Sequence, residues 1–282
     1  MNWIEQKVAV IGCGVMAQCL VDGWLKNKIF DPKLMTLTDS YPLGLQNLTK
    51  KYPHCTITEA NNEAIQAAHV IFICVKPFMV ESVLAQVPKE LFKGKILITI
   101  AAGLKLSLYH EILGGSGIRA IFRAMPNIAC RVDSGLTAVC GKSSQDSITC
   151  DEELLADTQK IFEALGGWCA VEDEKLMDVV TALNGSALAF GCLAIEAMAD
   201  GAVSMGLPRP LAISLSSHAL KAASALQIGT GEHPAVLRDQ ITTPGGCTIA
   251  GLLALEEGNF RSTLVKAVQQ TTQISKQLGE KN

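Results

Sequence analysis

Six residues near the start of the sequence, Gly12-Cys13-Gly14-Val15-Met16-Ala17, have the G-x-G-x-x-A spacing of a dinucleotide-binding turn. In such a turn the first glycine permits a tight bend, and the second lets the backbone approach a pyrophosphate. The third small residue lets the following helix pack closely on the preceding strand. Phosphates then bind N–H groups at the N-terminus of that helix. The pattern therefore predicts cofactor-binding residues at Gly12, Gly14, Val15 and Met16.

An acidic residue follows this turn at the distance expected of a ribose ligand. Asp39 ends the second predicted strand, about 20 residues beyond the glycine turn. A carboxylate there usually binds the ribose 2′-OH and favours NAD, whereas an arginine would hold the 2′-phosphate of NADP. No arginine lies nearby, although Ser40, Lys50 and Lys51 do. Alternatively Asp39 only begins a turn, so the nucleotide preference stays open at this level.

Three further segments directly follow predicted strands. They are Val75-Lys76-Pro77, Ala101-Ala102-Gly103 and Met125-Pro126-Asn127. Open α/β sheets bind ligands at the carboxyl ends of their strands, and small residues and prolines there let the backbone approach the nicotinamide half of a dinucleotide. One such segment would indicate only a loop, but three at one edge of a sheet indicate a site.

A second candidate site lies in the segment Thr242–Gly251. Thr243 is predicted to cap a helix, with Pro244 at its first position. The two glycines that follow leave N–H groups unobstructed at the positive end of the helix dipole, which suits a carboxylate or a phosphate. Thr248 adds a hydroxyl group. A capped core helix without a ligand is the alternative.

Polar residues also interrupt the apolar helix around Asn184-Gly185-Ser186. Buried polar groups need partners, and either a ligand or a crossing helix would supply them.

The ten cysteines form no C-x-x-C pair and the five histidines are scattered, so no metal site is predicted. Cysteines inside apolar runs are expected to be small hydrophobes in a reducing cytosol.

Short β-branched runs that alternate with helical patterns would position these residues. Strands separated by helices imply βαβ units, a parallel sheet and helices on both of its faces. Near-continuous apolar strands indicate a sheet that is buried on both sides. The predicted strands are 8–11, 34–38, 70–75, 96–100, 118–123 and 136–139.

The second half of the chain is predicted to be helical. A capping box at Thr149 is expected to open a helix that ends at Gly166-Gly167, and no strand signal follows Val171. The predicted fold class is α/β, with a Rossmann-type doubly wound sheet domain at 1–168 and an all-α helical dimerisation domain at 169–282.

Composition limits the function classes. The 282 residues are 49% hydrophobic and carry a net charge of -3, which argues against a nucleic-acid binder or a basic membrane-surface protein. No signal-peptide layout precedes the first strand. The stretch Leu176–Pro208 lacks Lys and Arg but holds acidic residues and glycines, so a soluble helix at a subunit interface is preferred over a membrane span.

Together these motifs resemble the pyrroline-5-carboxylate reductase family from end to end. In the first half the resemblance rests on Val75-Lys76-Pro77, Ile100–Gly103 and Arg123–Asn127. In the second half it rests on Glu196–Asp200, Gly231–Pro234 and Thr243–Ile249 followed by Leu255–Gly258, where the family has its S/T-P-G-G-x-T signature.

The resemblance implies a cytoplasmic enzyme that reduces Δ1-pyrroline-5-carboxylate to L-proline with NADPH, with NADH often accepted. It also implies a dimer of interleaved helical domains that assembles further, up to a decamer. Thr248 would be the catalytic residue. The implied substrate ligands are Thr243, Gly245, Gly246, Cys247, Thr248 and Ser186. The implied cofactor residues are the glycine turn, Asp39, Ser40, Val75, Lys76, Pro77, Ala101, Ala102, Gly103 and Asn127.

Two departures from the family pattern stand out. Val15 replaces the usual Asn, which removes one polar contact near the cofactor. The family's S-G-S-x-P-A motif reads Asn184–Ala189 here, without the proline, which leaves room for an altered substrate.

Two other functions remain open at this stage. A β-hydroxyacid dehydrogenase-like reductase would place a catalytic lysine four residues before an asparagine on the interdomain helix, where this chain has Val180 before Asn184. A catalytically silent dinucleotide-binding sensor would keep the glycine turn but would not need the Thr243–Thr248 segment.

Overall fold

The computed structural model describes residues 1–141 and 152–280. Within them, eight strands form one sheet in the spatial order 3-2-1-4-5-6-7-8. The strands are β1 (Val8–Ile11), β2 (Met35–Thr38), β3 (Thr56–Thr58), β4 (Val70–Ile73), β5 (Ile96–Thr99), β6 (Ala120–Met125), β7 (Gly135–Cys140) and β8 (Gly166–Ala170).

Helices separate and follow these strands. They are α1 (Val15–Lys26), α2 (Pro42–Lys51), α3 (Asn61–Ala67), α4 (Val80–Ala85), α5 (Leu106–Leu113), α6 (Glu152–Glu163), α7 (Met177–Val180), α8 (Ala187–Ser204), α9 (Arg209–Thr230), α10 (Pro234–Ile241), α11 (Cys247–Glu257) and α12 (Phe260–Glu280). A π-helical turn, Thr181–Ser186, joins α7 to α8. The predicted capping residue Thr149 lies outside the described residues.

The order in which the chain adds strands to the sheet reverses at β1. From β1 the chain adds β2 and β3 on one side, and then returns to place β4 on the other side. The carboxyl ends of β1 and β4 therefore flank a topological switch point, where doubly wound sheets bind ligands. This order and the helical second half confirm the predicted Rossmann-type fold class.

Both faces of the sheet are buried. Val8 and Val10 of β1 pack in one hydrophobic cluster, while Ala9 and Ile11 pack in a second cluster on the opposite face. Successive side chains of a strand point to opposite faces, so a strand covered on both sides must be apolar throughout. The prediction of a doubly covered sheet is confirmed.

The sheet differs from the sequence prediction in three respects. The pairing of β6 with β7 is antiparallel, because the connecting residues 126–134 are too few for a parallel crossover. The sequence pattern does not indicate strand β3, since its three residues are exposed or only partly buried at the sheet edge. Strand β8 was missed because Gly166-Gly167, expected to end a helix, instead begins a strand that pairs with β7.

The described chain forms two compact units. One comprises Met1–Gly185 together with the chain from Thr271 onward, and the other comprises Ser186–Gln270. These two units are groups of residues that pack closely together. The predicted division at residue 168 instead separates a dinucleotide-binding segment from a substrate-binding and dimerisation segment. That functional division therefore stays a prediction.

One segment of the described chain, Glu174–Ser204, is long and apolar enough to span a membrane by length and composition. Helices that pack in the core of soluble proteins meet the same criteria, so a single segment of this kind is weak evidence for a membrane span. The segment contains α7, the π-helical turn and α8.

Candidate functional site

The glycine turn after β1 has the conformation that a dinucleotide site requires. Gly12 has φ +86°, and a Cβ on it would lie 2.5 Å from Cγ1 of Val75. Gly12 therefore provides both the left-handed bend and the close approach of β1 to β4. Apart from Gly14 itself and its two chain neighbours, no described atom lies within 4 Å of the point where a Cβ would stand on Gly14. The turn is therefore tightly packed at Gly12 and has open space beside Gly14.

Helix α1 begins directly after this turn, with Gly14 as its N-cap residue. The first N–H groups of a helix have no intrahelical acceptor, so the backbone of Val15 and Met16 offers donors at the positive end of the helix. The side chain of Val15 is exposed, and Ala17 is buried against the sheet. This arrangement fits a pyrophosphate, as the sequence predicts.

Asp39 is held at the rim of the same turn. Its Oδ2 accepts a hydrogen bond from the backbone N–H of Cys13 at 3.2 Å, and its Oδ1 accepts one from Tyr41 at 3.0 Å. Asp39 therefore does begin a turn, and it also fixes its carboxylate beside the glycines. Burial, with the charge of Asp39 adding to it, raises the pKa of the Cys13 thiol to about 12.

A cleft of about 240 Å³ lies at the switch point. It brings together six of the predicted cofactor residues, namely Gly12, Gly14, Asp39, Ser40, Val75 and Lys76. The cleft also has lining residues that no sequence motif indicates, including Glu59 and Asn61, which follow β3. Recognising the short strand β3 would have placed both at this edge. The Oδ1 atom of Asn61 accepts a hydrogen bond from Thr38 at 2.7 Å.

Other predicted cofactor residues lie further along the same edge. Pro77 begins a short 3-10 turn after Lys76, and Ala101, Ala102 and Gly103 follow β5. Gly103 has φ +80°, and a Cβ on it would lie 3.0 Å from the carbonyl oxygen of Ser275 in α12. The end of α12 therefore packs closely on this turn.

Asn127 follows β6 and is almost completely buried, with 7% of its surface exposed. Its Oδ1 accepts a hydrogen bond from the backbone N–H of Ala129 at 3.0 Å. Its Nδ2 donates to Oδ1 of Asn184 at 3.1 Å. The polar side chain of Asn184, which interrupts an apolar helix, therefore has a hydrogen-bond partner within the protein.

A buried ionic cluster lies beneath this edge. The guanidinium of Arg123 lies 3.4 Å from Glu174 and 3.4 Å from Asp178. Glu174 also accepts a hydrogen bond from the N–H of Leu106 at 2.6 Å, and Asp178 accepts one from Ser275 at 2.9 Å. Burial raises the pKa of Glu174, against the opposing effects of Leu106 and Arg123. The cluster links β6, α5, α7 and α12.

The second predicted site lies in the other compact unit, where the prediction of Thr243 as a helix cap is wrong. Helix α11 begins at Cys247, and its N-cap is Gly246. Gly245 has φ +67°, a left-handed conformation that no helix can include. Thr243 instead begins a turn, in which its carbonyl accepts a hydrogen bond from the N–H of Gly246 at 3.1 Å.

The open start of α11 nevertheless matches the predicted ligand chemistry. Cys247 and Thr248 occupy its first two positions, where N–H groups have no intrahelical acceptor. Cys247 is exposed and Thr248 is half-buried. Thr248 also lines a cavity of about 650 Å³ with residues of α9 and α10. Ser186, the remaining predicted substrate ligand, ends the π-helical turn before α8.

No group of three or more His, Cys, Asp or Glu residues in the described part of the chain is arranged to hold a metal ion. The cysteines within that part are free thiols, and several are buried.

The doubly wound sheet, the glycine turn and the open helix start define a dinucleotide-binding oxidoreductase of the Rossmann type. Residues 7–103 match the family described as "NADP oxidoreductase coenzyme F420-dependent". Residues 174–278 match the family described as "Pyrroline-5-carboxylate reductase dimerisation".

Relatives over nearly the whole length identify the family. The chain is 37% identical to pyrroline-5-carboxylate reductase of Methanosarcina acetivorans, over 98% of this chain and 99% of the relative. It is 34% identical to that of Arabidopsis thaliana, over 97% and 96%. The solved structure of Plasmodium falciparum pyrroline carboxylate reductase with NADP bound superposes with a TM-score of 0.84, at 28% identity over 98% of this chain and 99% of that chain. The chain belongs to the pyrroline-5-carboxylate reductase family.

Imine reductase and reductive aminase from Aspergillus terreus share the fold at lower similarity. The imine reductase has a TM-score of 0.52 at 16% identity, covering 94% of this chain and 87% of that chain. Similarity at this level indicates a common fold and carries no substrate assignment.

Proposed function

We propose that this chain reduces Δ1-pyrroline-5-carboxylate to L-proline, the last step of proline biosynthesis, by hydride transfer to a cyclic imine. The observation that carries the proposal is family membership over nearly the full length of the chain. The open glycine turn after β1 and the open start of α11 agree with it. Residues 1–168 would bind the dinucleotide, and residues 169–282 would bind the substrate and form the dimer.

The proposed cofactor is NADPH, with NADH accepted as well. The N–H groups of Val15 and Met16 would bind the pyrophosphate, and Gly12 and Gly14 would let it approach the backbone. Asp39 and Ser40 would contact the adenosine ribose. The remaining proposed cofactor residues, on the nicotinamide side, are Val75, Lys76, Pro77, Ala101, Ala102, Gly103 and Asn127.

The proposed substrate site is the start of α11. The N–H groups of Cys247 and Thr248 lie at the positive end of that helix, which favours the substrate carboxylate. Gly245 would leave the approach open, and Gly246 would let the side chain of Thr243 lie close to the helix start, since a Cβ on Gly246 would stand 2.4 Å from Oγ1 of Thr243. Thr243 and Ser186 complete the proposed set of substrate ligands.

Thr248 is the proposed catalytic residue. The bound nicotinamide supplies the hydride. An iminium carbon accepts a hydride far more readily than a neutral imine carbon, so the ring nitrogen must carry or acquire a proton. The hydroxyl of Thr248 would hydrogen-bond this nitrogen, directly or through a water molecule. The helix start would fix the carboxylate, so that part of the barrier is removed by orientation.

We also propose that the chain forms a homodimer through its helical region, and that dimers assemble further, up to a decamer. Large apolar side chains are exposed on these helices, including Leu193 at 65% and Met198 at 44%. Exposed apolar surface of this extent is typical of an obligate interface. The proposal extends to the apolar stretch 176–208 as part of the subunit interface, to a cytoplasmic location, and to the absence of a membrane or nucleic-acid partner.

Steady-state kinetics with pyrroline-5-carboxylate test the reaction and the nucleotide together. We expect substrate-dependent oxidation of NADPH, and slower oxidation of NADH, with L-proline as the product. Nucleotide binding without turnover on pyrroline-5-carboxylate or another cyclic imine acid would instead indicate a sensor. Light scattering after size exclusion tests the assembly, and a stable, active monomer would contradict the proposed dimer.

A further inference from the structure

The side-chain amide of Asn184 connects the π-helical turn to two strands. Its Nδ2 donates hydrogen bonds to the carbonyl of Met125 at 2.8 Å and to the carbonyl of Leu136 at 2.8 Å. These carbonyls belong to β6 and β7, which are neighbours in the sheet. Both protons of the Asn184 amide nitrogen are therefore committed to backbone acceptors. Its Oδ1 consequently points at the Nδ2 atom of Asn127.

The orientation of the Asn127 amide follows from the same chain of hydrogen bonds. The backbone N–H of Ala129 can only donate, so the Asn127 atom that faces it must be the oxygen. The backbone carbonyls of Met125 and Leu136 can only accept, so the Asn184 atom that faces them must be the nitrogen. Both amides are thus oriented by backbone groups whose roles are fixed. Asn127 donates one amide proton to Asn184 and keeps the second for another acceptor.

We propose that Asn184 is a positioning residue for the nicotinamide side of the cofactor site, acting through the amide of Asn127. The inference rests on the proposed function in so far as Asn127 is there assigned to that side. Asn184 orients the Asn127 amide so that its remaining N–H is presented to a ligand acceptor. Without Asn184 the Asn127 side chain keeps only its bond to Ala129, and its amide nitrogen loses its fixed direction.

The π-helical turn places Asn184 where it can make all three bonds. Turns of this type are rare insertions into α-helices and occur frequently at functional sites. Here the turn covers Thr181–Ser186 and contains Asn184. Asn184 joins the end of β6 to the start of β7. Asn127 lies in the short connection between these two strands. A serine at this position has a single hydroxyl donor and could not serve both carbonyls while accepting from Asn127.

The test compares two ligands that share an adenosine end. NADPH carries a nicotinamide, whereas 2′,5′-ADP does not, and binding of both is measured by calorimetry in the absence of substrate. For Asn184→Ala we expect the Kd of NADPH to rise about tenfold, as for the loss of one hydrogen bond of ordinary strength. We expect the Kd of 2′,5′-ADP to stay within twofold of the wild-type value.

Asn27→Ala is the matched control. The Nδ2 of Asn27 also donates to two backbone carbonyls, those of Gly23 at 3.0 Å and Ala164 at 2.7 Å, but Asn27 lies at the C-terminal end of α1. Its replacement removes a comparable pair of hydrogen bonds from the same compact unit. We therefore expect a similar loss of thermal stability with no change in either Kd.

A double-mutant cycle tests whether the effect passes through Asn127. Asn127→Ala and the double variant Asn127→Ala with Asn184→Ala should bind NADPH equally weakly, since Asn184 has nothing left to orient. If Asn184→Ala does not fold, Asn184→Ser replaces it, because a single hydroxyl can donate to only one strand carbonyl and its oxygen is therefore not held in the fixed direction of the amide oxygen.

Two outcomes would overturn the proposal. Equal losses of affinity for NADPH and 2′,5′-ADP would mean that Asn184 only supports the sheet edge. Unchanged affinity for NADPH would mean that Asn127 needs no orientation. These outcomes are distinct from failure of the proposed function. If the wild-type protein binds both nucleotides but does not reduce pyrroline-5-carboxylate, the proposed function fails, and the effect of Asn184 on nucleotide binding can still be measured.

Discussion

Replacing Gly14 with alanine separates nucleotide binding from folding, because Gly14 has ordinary backbone angles and open space around its Cα. Its φ of -67° and ψ of -172° are accessible to alanine. The lower entropy of the unfolded chain stabilises such a variant by about 0.4–1 kcal/mol. The poorer N-cap propensity of alanine costs about the same amount. We therefore expect the free energy of unfolding of Gly14→Ala to stay within about 1 kcal/mol of the wild-type value.

The added methyl group would stand where a phosphate approaches the start of α1. Loss of one charge-assisted hydrogen bond costs about 1.5–3 kcal/mol, which corresponds to a Kd about tenfold to 150-fold higher. Calorimetric titration with NADPH measures the affinity, and thermal unfolding measures the stability.

Gly12→Ala is the comparison variant. With φ +86° and a Cβ 2.5 Å from Val75 Cγ1, it should lose at least about 2 kcal/mol of stability through backbone strain and overlap. If Gly14→Ala is stable and binds NADPH with unchanged affinity, the pyrophosphate does not lie at this turn and the reasoning is refuted.

Three further predictions concern individual side chains. Thr248→Ala should lower turnover about 100-fold with the Kd of NADPH nearly unchanged, and unchanged turnover would remove Thr248 from the mechanism. Asp39→Ser should raise the affinity for NADPH relative to NADH about tenfold, because it removes a carboxylate that repels a 2′-phosphate; a constant ratio of the two Kd values would place Asp39 away from the ribose. Iodoacetamide at pH 8 should label the exposed Cys247 in preference to Cys13, whose pKa of about 12 keeps its thiol protonated until the pH approaches that value. Mass spectrometry of peptides from the labelled protein locates the modified cysteines. Labelling of Cys13 in the native protein would contradict the third prediction.

The sequence was most informative where local pattern and burial agree. The predicted strand 8–11 and the predicted helix after the glycine turn match β1 and α1. A short apolar run that is rich in β-branched residues and is followed at once by glycines favours a strand covered on both faces over a buried helix. The glycine turn is equally local, because its conformation depends on two glycines and the strand that leads into them.

The sequence was least informative where two distant segments decide the outcome. Strand β8 exists because it pairs with β7, and Gly166, at φ +136°, lies so close to β7 that a Cβ would be 2.1 Å from the carbonyl oxygen of Gly135. As a local signal, the same glycine indicates the end of a helix. The local pattern predicts the start of α11 too early for a similar reason, since the proline and threonine that resemble a cap instead form the turn before it.

The sequence by itself determined the Rossmann-type fold class, the glycine turn and the resemblance to one reductase family, because each is encoded in residues that are adjacent or regularly spaced. Only the tertiary structure decided which residues share the cleft with Asp39, that β7 runs antiparallel to β6, and that the amide of Asn184 is hydrogen-bonded to Asn127. These contacts join residues far apart in the chain. Their partners are selected by sheet order and hydrogen-bond geometry, which short-range patterns do not contain.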